Sequence, residues 1–341
     1  MVIDLYENIT GKLEYDYLIF REGFAFSDVT YPPSICDGIL LKFPKDVPCF
    51  SPRRRGSERT FEEHIELIKE YNIRKAYVIA ENIDFLLDIP QLEYLTIVPA
   101  DSSGNNFDYS PLYSMPRIRF LRANTVYGRK EELKTTIDYS KVKGLEDLFV
   151  VDDKTETKFE VVPTLKTLHL MQYRSRDLTN AFCSKLLDTL ALYGGKITSL
   201  DGIEKAPKLK VMVLNRILGL KDITALTKVK SSLKCVRIDG CPKISDFSVL
   251  GELENLEYLS IRGNYQLPDL GFIRKLKNLK NFVFEGGNII DGDLTPCRDL
   301  LHSWIHPIKR HYNMKRDELP DPGGFFQYMD GIDEWRKFWM G

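Results

Sequence analysis

The 341-residue chain has only six cysteines, and no two of them form a C-x-x-C pair. Cys36, Cys49, Cys183, Cys235, Cys241 and Cys297 are scattered, which reads as free thiols in a reducing compartment. Met1 to Thr10 has neither a basic stretch nor an apolar core, so no secretory signal is expected and the cytoplasm is the expected location. No run reaches the ~18 apolar residues that a membrane helix needs. Lys and Arg number 48 against 49 Asp and Glu, a net charge of −1. A chain without a global field offers no general attraction to nucleic acid or to an anionic membrane, so neither is expected as a partner.

Chemical signatures are equally sparse. Gly194-Gly195-Lys196-Ile197-Thr198 has the look of a phosphate loop, but the first glycine is missing and Ile197 stands where Ser or Thr must hold magnesium. His302, His306 and His311 lie near Cys297, yet their spacings match no standard zinc site. Cys36-Asp37 has only His64 as a nearby base in sequence, and Asp152-Asp153 reads as a solvated acidic pair. An enzyme carried in the first 72 residues or in the tail is a rival reading that no acid/base pair, nucleophile constellation or cofactor loop supports. The expectation is a non-catalytic protein with no cofactor and no metal.

What the chain does have is a repeat. With 43% apolar and 28% charged residues it is globular. Leu256, Leu259, Ile261, Asn264, Leu267, Leu270, Ile273 and Leu276 spell a short alternating strand, a turn, and apolar residues at every third position. Asn264 is suited to bonding backbone groups where the chain leaves the strand. Leu233, Leu256 and Leu279 stand 23 residues apart and open equivalent stretches, and a period of this length means a solenoid. Ten strand segments align, beginning at Ile73, Leu92, Ile118, Leu145, Leu165, Leu187, Leu209, Leu233, Leu256 and Leu279. In each, positions one, four and six are apolar or small, as in Leu145, Leu148 and Val150. Two early repeats carry insertions: Asp101 to Ser110 reads as an exposed loop, and Tyr127 to Lys143 lengthens the repeat that begins at Ile118.

Leu187, Leu190, Leu192, Gly195, Ile197, Leu200 and Ile203 together resemble the 22-residue leucine-rich repeats of internalins and of phosphatase-regulator-type proteins. Cys241 and Asn264 sit where that family places its Asn or Cys ladder residue, while Gly195, Ile217 and Gly287 depart from it. The resemblance spans about 73 to 294. It implies an α/β leucine-rich repeat solenoid with a curved parallel sheet on the concave face and short helices, 3-10 turns and loops on the convex face. Lys309-Arg310-His311-Tyr312-Asn313-Met314-Lys315 also resembles a tail of cytoplasmic bacterial proteins of this kind, which implies an alternative, narrower function: an immunity-type protein that neutralises a toxin.

Outside the array, residues 1–72 are expected to form an N-terminal cap. Within it Leu13 to Phe26 suits a hairpin around Glu22 and Gly23, and Arg53, Arg54 and Arg55 form a basic loop. Thr60-Phe61-Glu62-Glu63 is a capping box that opens a helix near 59–71, with Phe61, Ile65 and Ile68 inward. Residues 295–341 are expected to form a C-terminal cap, with Leu294 to Ile308 helical. The tail carries Phe325, Phe326, Tyr328, Trp335, Phe338 and Trp339, and so many aromatics suit either the open end of the last repeat or docking to another protein.

Positions two, three, five, seven and eight of each strand face away from the core. Position five supplies Arg122, Phe149, His169 and Arg237, position seven Met171, Tyr193 and Arg262, and position eight Asp152 and Arg216. Aromatic and Met anchors beside arginines are the composition of a protein interface. These nine residues are the expected contacts for a protein partner on the concave face of a monomer.

Overall fold

The computed structural model describes residues 18–20, 36–42, 61–70, 72, 74–99, 107–123, 137–151 and 159–320. They form two compact units. One holds the described residues up to Val150 together with Phe159, and the other holds Val151 and the described residues from Glu160.

The first unit contains β1 (Leu18–Phe20), β2 (Cys36–Lys42), helix α1 (Phe61–Glu70), β3 (Lys75–Ala80), β4 (Tyr94–Pro99), β5 (Phe120–Arg122) and all but the last residue of β6 (Asp147–Val151). β1 pairs antiparallel with β2, and every later neighbour is parallel. α1 lies within the expected helix. It turns Ile65 and Ile68 inward, and the Gln91 amide donates 3.1 Å to the Ile68 carbonyl at its C-terminal half. Thr60, Arg53 to Arg55 and the far arm of the expected hairpin lie outside the described residues, as do the side chains of Cys36, Asp37, Phe61 and His64.

The second unit stacks β7 (Thr167–Met171), β8 (Thr189–Tyr193), β9 (Val211–Asn215), β10 (Cys235–Asp239), β11 (Tyr258–Arg262), β13 (Asn281–Glu285) and β15 (His302–His306) in parallel and in chain order. Two-residue strands β12 (Gln266–Leu267) and β14 (Asn288–Ile289) pair on their own. Register is uniform: Leu190, Met212, Val236, Leu259 and Phe282 align, and so do Leu192, Leu214, Ile238, Ile261 and Phe284. Both rows are buried. Each repeat buries a few large side chains at roughly 1.5–3 kcal/mol apiece, but only when a neighbour covers them. This is the leucine-rich repeat solenoid, an α/β fold, and all ten aligned segments become strands.

From β8 to β11 each strand leads into a turn with a 3-10 segment, such as Thr224–Val229, Ser248–Glu252 and Gly271–Lys275. The turns share one device that the leucine pattern does not reveal. Asp222, Asp246 and Asp269 accept from the amides of Thr224, Ser248 and Gly271 at 2.8, 2.8 and 2.6 Å. A carboxylate two residues ahead satisfies an amide that the short helix leaves open. Asp108 and Asp138 do the same for Ser110 and Ser140 in the first unit.

Three expectations are corrected. Asp101 to Ser110 is not a free loop throughout: Phe107 and Tyr109 are buried, and Ser110 opens a 3-10 segment. Tyr127 to Lys143, the stretch that lengthens the repeat beginning at Ile118, ends in a repeat turn with Ile137, Tyr139 and Val142 buried. Residues 101–106 and 124–136 lie outside the description. Leu294 to Ile308 is not helical but holds a turn at Thr295–Cys297 and strand β15. The ladder residue of the repeat at Leu256 is not Asn264, which is exposed. Tyr265 takes that role, because its buried phenol reaches back a full repeat to the Cys241 amide at 2.7 Å.

Candidate functional site

In the first unit, Arg122 and Phe149 are register partners on β5 and β6. The Arg122 guanidinium carbon stands 4.3 Å from the Phe149 ring centroid, a cation–π contact that buries both side chains. Phe149 is therefore not the exposed anchor that its strand position suggests. Asp152 and Asp153 lie outside the described residues.

In the second unit the sheet face carries His169, Met171, Tyr193, Arg237 and Arg262. His169 Nδ1 lies 3.4 Å from the Tyr193 hydroxyl, with the rings nearly parallel at 8°. His169 is buried and Tyr193 half-buried, so of this pair the phenol is the accessible member. Next to them Ala191, Val211, Val213, Cys235, Tyr258 and Val283 form one buried apolar cluster, with Tyr193 packed against it. Burial pushes the Tyr258 hydroxyl up to about 12. Alternation had left this strip as open sheet surface, and it is closed.

The accessible groups gather at the C-terminal ends of the strands. Met171, Tyr193 and Arg262 are half-buried there. Arg262 Nε faces Glu285 at 3.5 Å, and Arg237 bonds Asp239 at 3.0 Å. Each strand end is followed by a residue with positive φ whose amide bonds the end of the next strand. Gln172, Gly194, Arg216 and Gly240 donate to the carbonyls of Tyr193, Asn215, Asp239 and Arg262 at 2.7–2.8 Å. Gly194 and Gly240 adopt φ of 64° and 62°, values that glycine reaches without strain. Gln172 and Arg216 occupy the same place at 60° and 53°. An L side chain in that conformation costs roughly 1–2 kcal/mol. Glycine follows each of them one repeat later. A Cβ on Gly194 would stand 2.8 Å from Gln172 Nε2, and one on Gly240 3.4 Å from Arg216 Cγ. Two long polar side chains thus lie over glycines on one rim, in a column that reads Gln, Gly, Arg, Gly. Gln172 shares strand position eight with Arg216, the other non-glycine of that column.

The chemical candidates fall into scaffold. Gly194 and Gly195 form a left-handed repeat turn, and the Lys196 amide donates to the Tyr173 carbonyl at 2.8 Å. Burial raises the Cys297 thiol to about 12. His302 is buried, while His306 and His311 are exposed. Among the described residues no three His, Cys, Asp or Glu side chains converge to hold a metal ion. Among them, too, no helix is long and apolar enough to cross a membrane. Lys309 to Lys315 closes the last repeat: the Tyr312 hydroxyl accepts from the Ile289 amide at 3.1 Å, and Asn313 Oδ1 from the Leu294 amide at 2.9 Å.

No family model matches the sequence, and no curated protein matches it. Solved structures do. An internalin from Listeria monocytogenes is 19% identical over 69% of this chain and 68% of its own, with a TM-score of 0.47. Internalin C2 from the same organism is 24% identical over 48% and 71%, with a TM-score of 0.40. A leucine-rich repeat protein of Leptospira interrogans is 12% identical over 59% and 68%, with a TM-score of 0.29.

Proposed function

We propose that the protein is a non-catalytic protein-binding module of the cytoplasm, acting as a monomer. Its contacts centre on the strand-end rim of the second unit, on Met171, Gln172, Tyr193, Arg216 and Arg262. Arg122, Phe149, Asp152, His169 and Arg237 complete the expected set, with Phe149 and His169 as buried supports for Arg122 and Tyr193. The observation that carries this reading is the left-handed conformation of Gln172 and Arg216. Glycine is the unstrained choice at both places and is used in the neighbouring repeats. Retained strain of this kind points to a use of the side chain rather than to folding. A thioether, a phenol and an arginine side by side are the groups that dominate protein interfaces. The scattered cysteines support a reducing location.

The test compares the full chain with the double variant Met171→Glu/Tyr193→Ala as bait in source-cell extract. Both positions are partly exposed, so the variant should melt with the parent. A protein captured by the parent at matched concentration and lost from the variant supports the reading. Undiminished capture by a folded variant contradicts it.

A further inference from the structure

The loops that leave β7, β8, β9 and β10 carry charge of one sign. Gln172 to Arg176, Gly194 to Leu200, Arg216 to Lys221 and Gly240 to Ser245 connect each strand end to the aspartate of its turn. Together they hold six basic residues and no acid, in a chain whose 48 Lys and Arg balance 49 Asp and Glu. The loops touch one another. The amides of Lys196 and Thr198 donate to the carbonyls of Tyr173 and Arg176 at 2.8 Å. A Cβ on Gly219 would stand 2.8 Å from the Ile197 carbonyl oxygen, and Gly240 lies against Arg216 Cγ. The four loops therefore form one rim, stepped at the strand spacing of about 4.8 Å.

Arg176, Lys196, Arg216, Lys221 and Lys243 are exposed on this rim. Among the described residues none of these five side chains has an ion pair or a hydrogen bond. The aspartates that end the loops are engaged in their own turns. Asp177, Asp222 and Asp246 accept from the amides of Thr179, Thr224 and Ser248 at 2.9, 2.8 and 2.8 Å, and Asp201 faces Lys228 at 3.4 Å. Other charges of the unit pair across repeats, as Lys230 does with Glu254 at 2.8 Å and as Lys234 and Lys280 do with Glu257 at 3.2 and 2.6 Å. Cations gathered on adjacent loops repel one another, so folding does not account for them.

The backbone of the rim is already engaged, because the amides of Gln172, Gly194, Arg216 and Gly240 bond the ends of the next strands. What the rim offers a ligand is long cationic side chains and one apolar group. Leu218 lies between Arg216 and Lys221 in the same loop and is 64% exposed. Cations alone would suit phosphates as well as carboxylates. Leu218, however, gives a phosphate backbone nothing to bind, whereas a protein segment can cover it. We propose, on the binding role given to this rim above, that its partner is an acidic segment of another protein with an apolar side chain among its carboxylates. Arg176, Lys196, Arg216, Lys221 and Lys243 attract the carboxylates, and Leu218 receives the apolar group. Charge complementarity of this kind sets the encounter rate and the choice of partner.

The test uses the full chain and fluorescence anisotropy at low ionic strength, with the labelled octapeptide Glu-Glu-Leu-Glu-Glu-Leu-Glu-Glu as the probe. The peptide should bind more tightly than its counterpart with Ser in place of Leu, and binding should fade as salt is added. Arg176→Glu/Lys196→Glu/Lys243→Glu should weaken it about tenfold or more. Lys208→Glu/Lys275→Glu/Lys277→Glu makes the same change of net charge at exposed positions on the turns before β9 and β13, and should leave the affinity near that of the parent. Leu218→Ser should erase the preference for Leu over Ser. No binding, an equal loss in both triple variants, a Leu preference that survives Leu218→Ser, or tighter binding of single-stranded oligothymidylate than of the peptide overturns the proposal. Capture by Met171→Glu/Tyr193→Ala is read without the peptide, so the partner reading can stand where the acidic chemistry fails.

Discussion

The phenolic oxygen of Tyr265 accepts a 2.7 Å hydrogen bond from the backbone amide of Cys241, in the preceding repeat. Both residues are buried, so no water replaces the bond if the hydroxyl is removed. Burial also drives the Tyr265 hydroxyl far above its usual range. Tyr265→Phe keeps the ring and its edge-on contact with Phe247 at 5.1 Å, but orphans one amide. A buried donor without a partner costs about 1–3 kcal/mol. Urea denaturation should show that loss, and an unchanged midpoint would remove Tyr265 from the ladder.

A second prediction concerns acid. Asp293 accepts from the Thr295 amide and hydroxyl and from Asn313, and these bonds lower its carboxyl to about 2. A carboxyl depressed in the folded state adds stability above its unfolded value, near 3.9, and loses it as pH falls through the folded value. Asp293→Ala should therefore be less stable than the parent by about 1 kcal/mol at neutral pH, the usual size of a lost cap. The gap between parent and variant should narrow between roughly pH 4 and pH 2. Denaturant midpoints taken across that window test it, and a pH-independent gap would assign the loss to something other than the charge.

Much of the fold was legible because its signal is local and repeated. Leu256, Leu259 and Ile261 state their own spacing, and the same spacing finds the strands β3 to β11 and β13. β15 escaped because Ser303 fills the core position that Phe282 fills in β13, and Leu301, Ile305 and Ile308 imitate a helical stripe. The Asp-x-Ser/Thr turns at Asp222, Asp246 and Asp293 were readable and would have drawn the early repeats at Asp108 and Asp138 more firmly. The burial of Phe149, His169 and Tyr258 was not readable. A strand pattern shows which face a side chain leaves from and not what later lies on it.

The rim supplies a third prediction. Arg216→Gly removes a strained conformation at the loss of one side chain, so stability should hold or rise by up to about 1 kcal/mol. Partner capture should fall. Gly195→Ala is the reverse case: φ is 88°, and a Cβ would meet the Tyr173 carbonyl oxygen at 2.4 Å. That variant should lose several kcal/mol or fail to fold, since backbone strain and a backbone clash coincide. Thermal melts of the two variants beside the parent separate strain kept for binding from strain that folding requires.

Thiol chemistry gives a fourth. Burial raises the thiols of Cys241 and Cys297 to about 11 and about 12, while Cys183 is exposed. The thiolate is the reactive form, so iodoacetamide at pH 8 should modify Cys183 well before either. Mass mapping of a time course checks the order, and early labelling of Cys297 would contradict the packing of the last repeat.

The most direct measurement is hydrogen–deuterium exchange on the full chain with and without a captured partner. The account predicts new protection at the strand ends and the turns after them, over 171–173, 193–195 and 215–217. Protection confined to the 3-10 turns at Thr224–Val229 and Ser248–Glu252, with those strand ends unchanged, would contradict it.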